Sequence, residues 1–261
     1  MEKLYIIKIG GNIIDDEAKL YSFLEDFAAV KGKKILVHGG GKLATRVAEA
    51  MGIKQQLIDG RRITDAETLK VVTMVYAGYL NKDIVSKLQA QNCNALGLTG
   101  ADGNIILAHK RINSGIDYGF AGDIDKINTG LINQLLHLNM AIVLAPLTHD
   151  KNGQLLNTNA DTIASEIAKA MTTTYTVSLI YCFEKKGVLL NASDDASTIG
   201  EISDSSYKEL KEKNIISAGM LPKLDNAFAA LQSGVQNIII GHADNLHKLI
   251  DHQCGTAIIN D

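Results

Sequence analysis

The chain of 261 residues has only three cysteines, Cys93, Cys182 and Cys254, and they stand far apart. An odd number, with no CxxC pair and no histidine cluster alongside, argues against a disulfide framework or a structural zinc site. Two prolines occur in the whole chain, and there is no internal repeat, linker or low-complexity tract. Neither sign of charge prevails, since 26 Lys and Arg against 29 Asp and Glu give a net charge of −3. That balance speaks against a general nucleic-acid or membrane-surface binder. No stretch approaches the ~18 apolar residues of a membrane span. The start, MEKLYIIKIGG, lacks the apolar core of a signal peptide, because Lys8 breaks a short run. The expectation is a soluble cytoplasmic protein with no protein metal-ligand set.

What is present is ordinary in bulk and patterned in detail. The chain is 46% hydrophobic and 21% charged, which suits a globular protein. Its length allows one large domain or two intimate lobes with a sizeable core. Strand-like and helix-like segments alternate. Leu4–Ile9, Lys34–Val37, Ala95–Leu98, Met140–Ala145, Val177–Cys182, Asn237–Ile240 and Ala257–Ile259 read as strands. Asp16–Val30, Leu43–Met51, Thr129–Leu138, Ser203–Lys213 and a segment to Met171 opened by Asn159 or Asp161 read as helices. Thr64 and Glu67 predict a capping box opening a long helix to about Lys87. Pro222 suits a first helical position and Gly234 a stop. Residues 104–124 alternate and carry glycines, which predicts a hairpin. Strand–helix alternation implies right-handed βαβ units and a mainly parallel sheet covered on both faces. A division into lobes, if present, falls near residue 170.

Five stretches could carry chemistry. KIGGN ends the first strand in two glycines whose bare backbone could approach an anion, with Lys8 beside them; a tight turn with Lys8 at a sheet edge is the other reading. HGGGK, residues 38–42, follows a strand and opens a helix, which is a ready site for a phosphate or carboxylate. Gly39, Gly41 and Ala44 also satisfy the loose dinucleotide fingerprint, although no clear acidic partner closes the next strand; Asp59 stands in a turn. His38 reads first as a core histidine. DGRRIT offers an arginine fork for a carboxylate, with one of Arg61 and Arg62 left to solvent. LNTNADTIA sets Asn157, Asn159 and Asp161 at alternate positions, more polar groups than one helix cap needs. In AGMLPKLDNA, Lys223 occupies the first turn of a helix, where a cation faces the positive end of the dipole unless an anion docks there. Two lysines, glycine turns, an arginine and an aspartate suit phosphoryl transfer, which needs positioning and positive charge more than covalent help.

KIGGN, VHGGGK, GRRIT, LNTNAD and GMLPK, in this order, resemble the N-acetylglutamate kinases of the amino acid kinase superfamily over nearly the whole chain. The resemblance implies an α/β fold: a three-layer αβα sandwich around a mainly parallel open sheet. Residues 1–170 would hold the acylated amino acid and the dimer interface, and residues 171–261 would hold ATP. Carried over by motif, Lys8 and Lys223 would flank the transferring phosphoryl and Asp161 would hold both. Gly10, Gly11 and Gly40 would meet phosphate oxygens. Gly40, Gly41, Arg62, Asn157 and Asn159 would bind or support the substrate, with Arg61 the bystander. Gly187 and Ser217 would contact the nucleotide. Mg²⁺ would sit on ATP phosphates and water.

Two departures from the family pattern stand out. YCFEKKGVL, residues 181–189, lacks the family's aspartate near the nucleotide and is longer by about two residues. Arginine-inhibited members carry an extra N-terminal helix, whereas this sequence starts at its first strand, so a homodimer without that feedback is expected. N-succinyl-L-glutamate is the alternative acyl substrate. Other kinases of the superfamily, acting on carbamate, glutamate, aspartate or UMP, are further alternatives. A dinucleotide-dependent oxidoreductase or a silent amino-acid sensor would be a different class.

Overall fold

The computed structural model describes residues 1–58, 61–112, 115–191, 193–213, 215–216 and 219–261, with Arg61 described by its backbone alone. Asp59, the side chain of Arg61, and Ser217 therefore lie outside the described residues. The strands in chain order are β1 (Lys3–Ile9), β2 (Lys33–His38), β3 (Leu57–Ile58), β4 (Arg61–Arg62), β5 (Ala95–Leu98), β6 (Ile106–Lys110), β7 (Gly122–Ile127), β8 (Ala141–Leu144), β9 (Leu147–His149), β10 (Leu155–Asn157), β11 (Thr176–Phe183), β12 (Glu201–Ile202), β13 (Asn237–His242) and β14 (Thr256–Ile258). The helices are α1 (Gly11–Ile14), α2 (Glu17–Ala29), α3 (Gly41–Ala50), α4 (Ala66–Val72), α5 (Asn81–Ala90), α6 (Thr129–His137), α7 (Ala160–Met171), α8 (Asp204–Glu212), α9 (Leu221–Gln232) and α10 (Leu246–Ile250).

Eight strands form one sheet in the order β12-β14-β13-β11-β1-β2-β8-β5, parallel except where β13 meets β14. Side chains alternate across β1, as the two-residue period of a strand requires. Tyr5, Ile7 and Ile9 pack into one core with α2, α3, α5 and α10. Leu4 and Ile6 pack into the other, with α6, α7 and α9. This is the expected αβα sandwich. Lys8 continues the Leu4 and Ile6 side, so the pleat aims it toward α7. Both cores draw on residues before and after position 170, and β1 pairs directly with β11.

The predicted hairpin forms as β6 and β7, which join β9 and β10 in a second, four-stranded sheet. The helix read over Asp16–Val30 forms as α2, with Asp16 as its cap, accepting from the amides of Ala18 and Lys19. The box at Thr64 and Glu67 does not form. Asp65 caps α4 by accepting from Thr68 N at 2.7 Å. Thr64 is committed elsewhere: its amide donates to Tyr118 O and its carbonyl accepts from Phe120 N. Pro222 is the second helical residue rather than the first, because α9 begins at Leu221. The long helix runs from Ala66 to Ala90, with Thr73–Leu80 in the wider π form between α4 and α5. The short strands β3, β4, β9, β10 and β12 are too brief to leave a periodic signal. No helix among the described residues is long and apolar enough to cross a membrane.

Candidate active site

The carboxyl ends of β1, β2 and β11 meet the amino ends of α1, α3 and α7, where ligands of open α/β sheets collect. Asn159 caps α7, its side chain accepting from Asp161 N at 2.7 Å and Thr162 N at 3.2 Å. Of the three polar residues in LNTNAD, Asn159 thus does the capping, which leaves Asp161 and Asn157 for other work. The cap fixes the first turn, and Asp161 in it meets both lysines. Lys8 Nζ lies 2.7 Å from Oδ1. That contact is close but poorly directed, so it is a Coulombic pair rather than a shaped hydrogen bond. Lys223 Nζ donates to Oδ2 at 2.9 Å.

Lys223 is 8% exposed. Its ammonium also rests over the Tyr181 ring, 4.9 Å from the centroid. Tyr181 Oη in turn donates to the Asp161 carbonyl at 3.2 Å. Burial pushes the Lys223 pKa down, and Asp161 opposes that. Burial alone would raise the Asp161 pKa, but Lys223 first and Lys8 second hold it well below the usual carboxylate range. Asp161 therefore stays a carboxylate, held between the two lysine side chains.

The two glycine turns abut. Gly10 N donates to Cys182 O at 3.1 Å, and Gly39 N donates to Ile9 O at 3.2 Å, which stitches the turns to the sheet. Among the described residues no protein acceptor takes the N–H of Gly11, Gly40 or Gly41. Helix first-turn amides have no intrahelical partner, so these donors are open to an anion. Gly40 has φ +145°, a region that favours glycine. A Cβ there would press into Leu80 Cδ1 and stand 3.2 Å from the Tyr76 ring, both brought over the turn by the π segment.

These groups border two clefts. The first, about 260 Å³, is lined by Lys8, Gly11, Gly39, Gly40, Gly41, Arg62, Tyr76, Arg111, Asn157, Asn159 and Asp161, among others. Arg62 Nη2 donates to Gly41 O and Thr45 Oγ1, both at 2.8 Å, and Nη1 donates to Gln55 Oε1. Asn157 Nδ2 donates to Thr64 Oγ1 at 3.0 Å. The second cleft, about 360 Å³, is mostly apolar, with Phe183, Gly187, Val188, Leu189, Ile216 and Met220 on its walls and Lys223 at one end. A Cβ at Gly187 would stand 2.6 Å from Thr256 Oγ1 and 2.7 Å from Thr198 Cγ2, so only glycine fits there. In the altered loop, Lys185 pairs with Asp195 at 3.1 Å.

The structure brings Lys8, Gly11, Gly40, Gly41, Arg62, Asn157, Asn159 and Asp161 to the first cleft and Gly187 and Lys223 to the second. Gly10 lies behind the wall with its amide spent. Sequence reasoning missed Tyr76, Tyr181 and Arg111. Arg111 is matched by Asp123 on the neighbouring strand, its Nε 3.0 and 3.1 Å from the two carboxylate oxygens, and it lies over Tyr118. Among the described residues no group of three or more His, Cys, Asp or Glu is placed to hold a metal ion.

The model of the amino acid kinase family matches residues 3–242. An acetylglutamate kinase of Cytophaga hutchinsonii is 55% identical, covering 99% of both chains. One of Parabacteroides distasonis is 54% identical, covering 95% of this chain and 97% of its own. Among solved structures, the smu.665 protein of Streptococcus mutans superposes with a TM-score of 0.82 at 26% identity, covering 99% of each chain.

Proposed function

The chain belongs to the amino acid kinase family, and on that premise we propose that it transfers the γ-phosphoryl of ATP to the side-chain carboxylate of N-acetyl-L-glutamate. Such an enzyme is a phosphotransferase with a carboxyl acceptor, and this one serves arginine biosynthesis. The observation that carries the reading is Asp161, held at once by a lysine from each of the two clefts, beside three open glycine amides.

The acceptor is already an anion, so no general base is needed. One carboxylate oxygen bonds to the γ-phosphorus, the bond from that phosphorus to the β,γ-bridging oxygen breaks, and ADP carries away the electron pair. What the reaction needs is charge around the moving phosphoryl. Lys8 supplies it from the acceptor side and Lys223 from the nucleotide side. Asp161 keeps both side chains aimed while the site is empty. Gly11 and Gly40 donate amides to the phosphoryl oxygens, and Gly10 shapes the turn that frees them. Gly41 lines the acceptor path. Arg62 clamps the α-carboxylate, Asn157 meets the amino-acid end, and Asn159 supports α7 under Asp161.

The second cleft, with Gly187 and its apolar walls, takes the nucleotide; the proposed contact from Ser217 belongs to the same segment. Both Asp161 oxygens are engaged by the lysines, so Mg²⁺ would be carried by the ATP phosphates and water, where it would offset their charge. The first cleft draws its lining from residues 8–161 and the second from residues 183–223, which supports an acceptor lobe at 1–170 and a nucleotide lobe at 171–261. A cytoplasmic homodimer acting on small molecules completes the reading.

The test is ADP release from MgATP with N-acetyl-L-glutamate, N-succinyl-L-glutamate, glutamate, carbamate and UMP. Turnover with N-acetyl-L-glutamate is expected. No turnover with either acylglutamate overturns the reading. NAD binding without ATP binding would favour an oxidoreductase, which leaves Lys8, Asp161 and Lys223 without work.

A further inference from the structure

His38 closes β2 immediately before the glycine turn and is fully buried. It reaches neither the phosphoryl nor the acceptor cleft, and the mechanism above does not use it. Its ring nitrogens both have partners. Nδ1 lies 2.8 Å from Gly39 O. Nε2 lies 3.3 Å from Asn81 Nδ2, at the junction of the π segment with α5.

The neighbours of Asn81 fix which atom donates. Its Nδ2 donates to Val143 O at 3.1 Å, and its Oδ1 accepts from Lys82 Nζ at 3.0 Å. Lys82 Nζ donates to Gly97 O as well, at 2.8 Å. Nδ2 therefore faces His38 as a donor, so His38 Nε2 must be the acceptor. The imidazole proton is left on Nδ1, directed at the Gly39 carbonyl.

That carbonyl shares a peptide plane with the N–H of Gly40. In a trans peptide the two point in opposite directions. A carbonyl held back by His38 thus turns the Gly40 N–H away from the core, toward the cleft that Gly40 lines, where no protein group accepts it. A Gly-Gly peptide is the kind least able to hold such an orientation unaided, because neither residue has a Cβ to restrict it.

We propose that His38 is a positioning residue: through a chain of hydrogen bonds from Lys82 and Asn81 it locks the Gly39–Gly40 peptide so that one phosphoryl-binding amide is aimed before substrate arrives. The proposal rests on the kinase reading for its consequence in turnover, but not for the orientation itself.

The test uses three substitutions and two readouts. His38→Asn places an amide nitrogen close to where Nδ1 stood, whereas His38→Gln places one near Nε2. His38→Leu removes both. Losing an oxyanion donor outright costs ~10²–10³ in rate. A misaimed donor should cost less, so His38→Leu and His38→Gln should lower kcat by about 10–100-fold with KM nearly unchanged, and His38→Asn should stay within about 5-fold of the parent. Nitrogen NMR of the unsubstituted protein should show the His38 proton on Nδ1. The Gly40 amide shift should move in His38→Gln and hold in His38→Asn.

Equal activity of all three variants would overturn the proposal, as would equal losses in Asn and Gln or a proton on Nε2. If His38→Leu fails to fold, the Asn and Gln pair decides. If the parent protein turns over no acylglutamate, the kinase reading fails while the tautomer and the Gly40 shift still test the lock.

Discussion

Lys8 and Lys223 hold opposite oxygens of one carboxylate, at 2.7 and 2.9 Å from Asp161 Oδ1 and Oδ2, and each looks into a different cleft. One carboxylate between two lysines leaves the resting site with an excess of positive charge. An arriving phosphoryl competes with Asp161 for ammonium groups that are already in place.

Lys8→Ala should lower kcat far more than it weakens substrate binding. One well-placed transition-state donor is worth ~2.7–4 kcal/mol, or ~10²–10³ in rate. Steady-state kinetics with both substrates decide it, and near-normal turnover would remove Lys8 from the assigned role.

Asp161→Asn should harm folding as well as turnover. It leaves two buried ammonium groups facing a neutral amide and each other. Removing one partner of a buried pair costs ~3–5 kcal/mol, with this site near the lower end because the lysines keep some exposure. Denaturant titration should show the loss. A variant as stable as the parent would mean that the trio contributes nothing to the fold.

Arg62→Ala should mainly raise KM for the acylglutamate and leave kcat comparatively intact, the pattern of lost uniform binding. Arg62→Lys should not restore it, since an ammonium cannot copy the fork whose Nη1 meets Gln55 Oε1 while Nη2 meets Gly41 O and Thr45 Oγ1. An unchanged KM in Arg62→Ala would move the clamp to another residue.

Gly40→Ala should cost ~1–3 kcal/mol of stability from its backbone conformation alone, on top of the collision with Leu80. Adding Leu80→Ala should relieve the collision but not the backbone strain. Thermal melts of both single variants and the double, read as a cycle that subtracts the cost of truncating buried Leu80, separate the two causes. A fully stable single variant would show that the turn relaxes freely.

Stability should fall on mild acidification through His38. Burial lowers its pKa to about 4 from the ordinary 6.5. Between those values the unfolded chain binds a proton that the folded chain does not. Stability therefore rises with pH across that window and is lost as pH falls from about 6.5 toward 4. Unfolding free energies at several pH values should show a shallower slope in His38→Asn than in the parent. Identical slopes would mean that His38 titrates normally.

Much of the architecture was legible because its signals are local. The apolar run around Lys8, the helix of Leu20, Phe23, Leu24 and Phe27, and the alternation over residues 104–124 each carry their own period. Lys223 was conspicuous as a cation at the wrong end of a helix. Other features depend on distant partners and had no local signal. Asn81, 43 residues beyond His38, decides that histidine's tautomer. Tyr181 reads as one more apolar strand residue until Lys223 is set on its ring. Arg111 shows its partner only once the hairpin register places Asp123 beside it. Thr64 makes a better cap than many helices have, but the Tyr118–Phe120 stretch before β7 claims its backbone first.

The π segment gives the helical run a reading frame. Upstream of its end, Tyr76 and Leu80 cover the front of the glycine turn; directly after it, Asn81 holds the back through His38. Successive residues of a regular helix are about 100° apart around its axis. The wide π turn stores one such step, so deleting a single residue from Thr73–Leu80 would let the run close into ordinary α-helix, with the flanking helices keeping their facing but Tyr76 and Leu80 drawn off the glycine turn. Exposed positions such as Met74 and Tyr79 would then tolerate exchange of side chains but not a change in length. Along this stretch the number of residues is under tighter constraint than their identity.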